Sequence, residues 1–136
     1  MPAYSDTFPW PSHYGHFNFF EDRMRNHNRV ATLTSLGNGV YELLRDNGRK
    51  LKVFICECYS FGVAEYLESA GKIDDLNVVV ISSNWCGYTD EAKLHCRKNE
   101  VGLFDIRDFM AALNKVDVWT YLNAAQKERF EKKGWL

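Results

Sequence analysis

Residues 29–59, RVATLTSLGNGVYELLRDNGRKLKVFICECY, decide the fold. In residues 29–36, Val30, Thr32 and Thr34 alternate with Ala31, Leu33 and Ser35, and β-branched side chains dominate, the pattern of a strand. Gly37-Asn38-Gly39 then supplies three residues that tolerate positive φ, as a tight hairpin turn requires. Residues 40–45 make the return strand, Asp46-Asn47-Gly48 repeats the turn chemistry, and residues 50–59 make a third strand. Val53, Phe54 and Ile55 are apolar on both faces of it, as expected at the centre of a sheet. The stretch therefore predicts an antiparallel three-strand meander.

Upstream, residues 12–28 repeat Phe17, Phe20 and Met24 at helical spacing, with Glu21, Asp22, Arg23 and Arg25 facing away. Residues 1–11, with Pro2, Pro9 and Pro11, read as an irregular arm carrying Phe8 and Trp10. Downstream the pattern changes to alternating helices and strands. Residues 61–70 fit a helix stopped by Gly71. Residues 76–82, a Val/Ile run, fit a strand buried on both faces, and Thr89 caps a helix running to about Lys98. Residues 101–105 make a short strand, and Asp105 caps the helix bearing Ile106, Phe109, Met110 and Leu113. Residues 116–133 read as one C-terminal helix with Val116, Trp119, Leu122 and Phe130 on its apolar side. The order describes a single α/β domain over 1–136, a mixed sheet that opens on a meander and continues αβαβ.

Composition narrows the function classes. With 46% hydrophobic and 26% charged residues, 136 residues are enough to bury a core without disulfides or metals. No apolar run approaches the ~18 residues of a membrane span. No basic segment leads into an apolar one at the N-terminus. A membrane partner is therefore not expected, and a cytoplasmic location is. No GxGxxG or GxxxxGK[ST] pattern occurs, so a nucleotide cofactor held by a glycine loop is not expected either. The net charge of −1 lacks the basic excess of a dedicated nucleic-acid binder, so any such site has to be a local patch.

Cys56 and Cys58 share one strand face two residues apart, too far to bridge, and with Cys86 and Cys96 they read as reduced core thiols. Zinc is disfavoured because no CxxC spacing occurs. His13, His16 and His27 have no partner at metal-ligand spacing and read as solvated.

Two acids stand on adjacent strands of the meander, Glu42 in the second and Glu57 late in the third. Glu is depleted in strands and costly to bury, and one use for such a pair is to hold a hard divalent cation through oxygen ligands. Tyr59 projects from the same face as Glu57, by strand alternation.

Gly39-Val40-Tyr41-Glu42-Leu43-Leu44, the Asp46-Asn47-Gly48 turn and Phe54-Ile55-Cys56-Glu57-Cys58-Tyr59 resemble the core of the PD-(D/E)XK superfamily, closest to its Mrr-like branch. Residues 78–84, 89–93 and 101–105 resemble that family's later strand, helix and closing strand, so the likeness spans roughly residues 21–113. The resemblance implies a restriction-endonuclease-like fold and a Mg²⁺-dependent site against a DNA phosphate. In it Glu42 and Glu57 take the two acid positions, as metal ligands, and Tyr59 stands where the family has its catalytic lysine. A phenol supplies neither a cation nor a ready proton acceptor at neutral pH. Lys50 and Lys52 lie on the opposite strand face, which leaves a lysine from elsewhere, such as Lys72 or Lys93, as the only replacement.

The expectation is thus a nuclease-fold protein with an incomplete site, binding nucleic acid or a partner without efficient cleavage. The alternatives are a working nuclease with a relocated lysine and a protein-interaction or immunity-type module on the same scaffold. Arg23, Arg25, Arg45 and Arg49 are the candidate phosphate contacts, and the same charges also read as a scattered solubilising surface. Glu42 equally reads as a solvent-facing strand residue and Glu57 as a buried, hydrogen-bonded acid. Trp10, Tyr14, Phe17, Phe19 and Phe20 exceed what one helix face can bury, so the surplus suggests a homodimer surface.

Overall fold

The computed structural model describes residues 7–136; residues 1–6 of the expected arm lie outside the described residues. The elements are α1 (Tyr14–Arg25), β1 (Val30–Gly37), β2 (Val40–Arg45), β3 (Lys50–Cys56), β4 (Ser60–Phe61), α2 (Val63–Lys72), β5 (Val78–Ile81), β6 (Gly87–Tyr88), α3 (Asp90–Lys98), β7 (Gly102–Asp105), α4 (Ile106–Ala112), a 3₁₀ turn (Val118–Thr120) and α5 (Ala124–Lys132). The main sheet runs β1-β2-β3-β5-β7. Its first three strands are antiparallel, and β3, β5 and β7 are parallel. This is the α/β mixed sheet that the meander and the Val/Ile run call for.

Alternation along the central strands fills both faces. Val53 and Ile55 of β3 join Val78 and Val80 of β5 on the side covered by Phe20 and Met24 of α1 and Phe109 of α4. Phe54 and Cys56 join Val79 and Ile81 on the other, against Tyr66 of α2 and Ala92 and Cys96 of α3. Burying a side chain of this size stabilises by about 1.5–3 kcal/mol, so the doubly covered β3 and β5 anchor the domain. Thr89 and Asp105 cap as expected: Thr89 Oγ1 accepts from the Ala92 N–H and Asp105 Oδ1 from the Asp108 N–H.

Two expectations need correction. The third strand stops at Cys56, because the Glu57 N–H donates out of the sheet to the Trp10 carbonyl, at 2.8 Å. The described part of the arm is irregular, as expected, but pinned: Trp10 is buried and Phe8 packs on Phe54. The C-terminal segment is not one helix from 116. Asn123 accepts from the Gln126 N–H while Gln126 Oε1 accepts from the Asn123 N–H, and this reciprocal cap starts a new helix. Asp90 then receives Arg129 and Lys133, holding α5 against α3. Among the described residues no helix is long and apolar enough to cross a membrane.

The hairpin turns supply a first test. Gly39 has φ +81°, and a Cβ there would stand 2.5 Å from the Ile55 carbonyl oxygen. Gly48 has φ +85° with open space around it. Gly48→Ala should cost about 1 kcal/mol from the left-handed backbone alone, and Gly39→Ala about 3 kcal/mol because the backbones must also part. Urea denaturation of both variants checks this; equal losses would refute the steric part.

Candidate functional site

The two candidate metal ligands do not converge. The β2–β3 register sets Glu42 opposite Lys52, so Glu42 shares a face with Lys50, Lys52 and Phe54. There it is half exposed and ion-paired to Lys50 at 3.7 Å. Glu57, at odd offset from Lys52, lies toward α1 instead, buried with His16 Nδ1 at 3.6 Å from its Oε1. The sheet separates the two acids, so although carboxylate oxygens suit Mg²⁺ the expected pair does not converge on one ion. Among the described residues no three His, Cys, Asp or Glu side chains gather into a metal-binding group.

Tyr59 has left the sheet and is 64% exposed. Neither replacement lysine is free for its place. Lys72 pairs with Glu68 at 2.8 Å. Lys93 is fully buried and donates to the Leu103 carbonyl. His16 is not simply solvated either: its Nδ1 is buried without a hydrogen bond, beside Glu57. Its place was legible, since His16 precedes Phe20 by four residues on the buried stripe of α1. His27 also joins the structure, with Nε2 2.9 Å from the Met110 carbonyl. Burial, reinforced by Glu57, pushes the Cys86 thiol up, so it is protonated at neutral pH and a poor nucleophile. The remaining cysteines are free and buried.

The candidate arginines divide by what they already hold. Arg45 is buried and donates to the Leu113, Lys115 and Val116 carbonyls. Arg49 binds the Val116 carbonyl and Asp117, and Arg25 pairs with Glu21 one turn away. Arg45 therefore serves the fold rather than a ligand, while Arg25 and Arg49 carry exposed ion pairs. Arg29 pairs with Asp46, Arg129 with Asp90, and Arg97 donates to the Thr120 carbonyl. Among the described residues Arg23 and Arg107 alone have neither an acid nor a carbonyl partner. The Arg23 guanidinium sits 4.7 Å over the Phe19 ring.

Those two arginines line the same cleft. It has a volume of about 640 Å³ and is walled by Phe19 and Arg23 of α1, Ile81 at the end of β5 with Ser82 to Asn84 after it, and Asp105, Arg107 and Met110 around the β7–α4 junction. It lies outside the carboxyl ends of the parallel strands β5 and β7, where open α/β sheets place ligands, and its size suits a small molecule or a short stretch of polymer. Its acid is occupied, since Asp105 caps α4. Ser82 Oγ bonds Ser12 Oγ at 2.7 Å and Ser83 Oγ accepts from the Trp85 N–H, so the floor is ordered. The Asp105 carboxylate keeps its charge, so the cleft sets two arginines against one acid, with the Phe19 ring beside them. Sequence reasoning found Arg23, and Phe19 only as a surplus aromatic, but not Arg107 or the Ser82-Ser83-Asn84 floor. A polar triplet directly after a buried Val/Ile strand was the available signal.

Of the surplus N-terminal aromatics, Trp10 and Phe20 are core and Phe17 packs against it. Tyr14 and Phe19 are left exposed, Phe19 in the cleft wall. Compared with family models, curated proteins and solved structures, the chain matches none.

Proposed function

We propose that the chain binds nucleic acid in the Arg23–Arg107 cleft and does not cut it. The carrying observation is that the two arginines without a partner among the described residues both line this cleft. An unpaired guanidinium is a strong, bidentate ligand for phosphate. A local pair of this kind also reconciles an anionic ligand with a net charge of −1. The restriction-endonuclease-like reading of the fold supports the same partner. Against catalysis stand the divergence of Glu42 and Glu57 and the exposed phenol of Tyr59 at the lysine position.

Titration of labelled single-stranded and duplex DNA at two salt concentrations tests it. Two phosphate contacts on a single strand give a slope of about −1.4 in log affinity against log salt, at about −0.7 per contact. The Arg23→Ala/Arg107→Ala variant should lose at least about tenfold in affinity at low salt and flatten that slope. Mg²⁺ or Mn²⁺ should leave both DNAs intact. Unchanged binding by the double variant would remove the cleft. Cleavage abolished by Glu57→Ala would favour a working nuclease with its cation supplied elsewhere.

A further inference from the structure

We infer that the nucleic acid is single-stranded, with unpaired bases stacking on Tyr59 and Trp85 while its phosphates meet Arg23 and Arg107, an inference that rests on the proposed cleft. Tyr59 is 64% and Trp85 57% exposed, two large rings left in solvent by a chain that buries Trp10, Phe54, Phe61 and Phe130 completely or nearly so. They stand on adjacent loops at the carboxyl end of the sheet. The Gly87 N–H donates to the Tyr59 carbonyl at 3.1 Å, and directly beyond it Ser60 and Phe61 of β4 pair with Gly87 and Tyr88 of β6. The two-stranded ladder therefore holds both loops in fixed relation. Trp85 follows the cleft floor without a break: Asn84 lines the cleft, and the Trp85 N–H is tied to Ser83 Oγ at 3.1 Å.

Phe19 adds a third ring inside the cleft, already carrying Arg23 on its face. Scattered exposed aromatics need no explanation. One exposed ring continuing from the loop that floors a cleft with two free guanidinia, and a second on the loop hydrogen-bonded beside it, are the parts of a single-strand site, in which every base offers a π-face and the backbone follows the cations. A duplex hides its base faces in the stack and is a rod whose major groove alone is about 12 Å across. A concavity of about 640 Å³ takes a few nucleotides of flexible strand, not that rod.

Fluorescence anisotropy at one low salt concentration, with an oligonucleotide, its duplex and an abasic strand of equal length, decides the matter. The single strand should bind at least about tenfold tighter than either other ligand. Tyr59→Ala/Trp85→Ala should lose about 5- to 150-fold on the single strand, the range of one stacked base, and leave the abasic strand unchanged. Both side chains are exposed, and a thermal melt matching the native protein confirms that the variant folds. Equal affinity for duplex and single strand, or a double variant with native affinity, would overturn the stacking inference while the arginine cleft stood. No binding of any of the three ligands would overturn the nucleic-acid reading beneath it.

Discussion

Arg45→Ala should lower the free energy of unfolding by about 4 kcal/mol, because it strips the partners from three carbonyls at once. The guanidinium bonds Val116 O at 2.8 Å and Leu113 O at 2.9 Å, with Lys115 O between them. It thereby closes the end of α4 and ties the following turn to β2. On one side it meets the α1–α4 core, since Leu43 and Tyr41 share its side of β2, and on the other it has Arg29, Asp46, Arg49 and Asp117 for neighbours. Burial pulls its pKa down from the ordinary value, with Arg49 next, yet an arginine keeps its charge throughout the physiological range. Arg45→Lys should recover only part of the loss, because an ammonium cannot reproduce the planar fork that reaches three acceptors. Chemical denaturation measures both. A loss under about 1 kcal/mol for the alanine variant would mean that water satisfies those carbonyls instead.

The second large effect is a rise in stability with pH, centred on Lys93. Its ammonium is wholly buried, donates to the Leu103 carbonyl at 2.6 Å and lies 3.9 Å over the Phe104 ring. Burial pushes its pKa down from 10.5 to about 7, offset in part by Asp108, Cys96 and Asp105 and deepened by Arg97. A lysine with a depressed folded pKa binds fewer protons folded than unfolded between those two values. Stability must therefore rise with pH across that window. From pH 7 to about 8.5 the contribution of Lys93 alone should rise by about 1.5 kcal/mol, less what the buried thiols remove.

Higher still, opposite terms take over. Burial raises the thiols of Cys56, Cys58, Cys86 and Cys96, Cys58 up to about 11 and Cys96 up to about 12, and raises the phenols of Tyr41 and Tyr88. These groups ionise first in the unfolded chain, so stability falls as pH climbs past the ordinary thiol range. The native protein should be most stable near about pH 8.5, and Lys93→Met should lose the rise below it. Denaturation curves at pH 7 and 8.5 for both proteins settle it. A native profile as flat as that of the variant would show that Lys93 finds water or a counter-charge.

Local features of the chain were readable without coordinates. Period-two alternation in residues 30–45, positive-φ residues at 37–39 and at Gly48, and oxygen-bearing caps at Thr89 and Asp105 act within a few residues, so each carries its own instruction. The doubly apolar β3 and β5 could only be central strands, and their flanking helical segments could only cover the two faces. That much makes the α/β mixed sheet a property of the sequence.

Tertiary structure decided the site. Glu42 and Glu57 look like a pair along the chain, but the register of the 45–50 turn puts Glu42 opposite Lys52, and a shift of one residue would reverse its face. The sequence contains eight arginines and does not say which are occupied. Arg45 finds its carbonyls about 70 residues downstream and Arg129 finds Asp90 39 residues upstream, through contacts that exist only once the layers have packed. Arg23 and Arg107 are left over by that same packing on either side of one cleft. Strand period, turns and caps act between neighbours along the chain. Charge pairing acts through space, and only the folded chain brings the partners within reach.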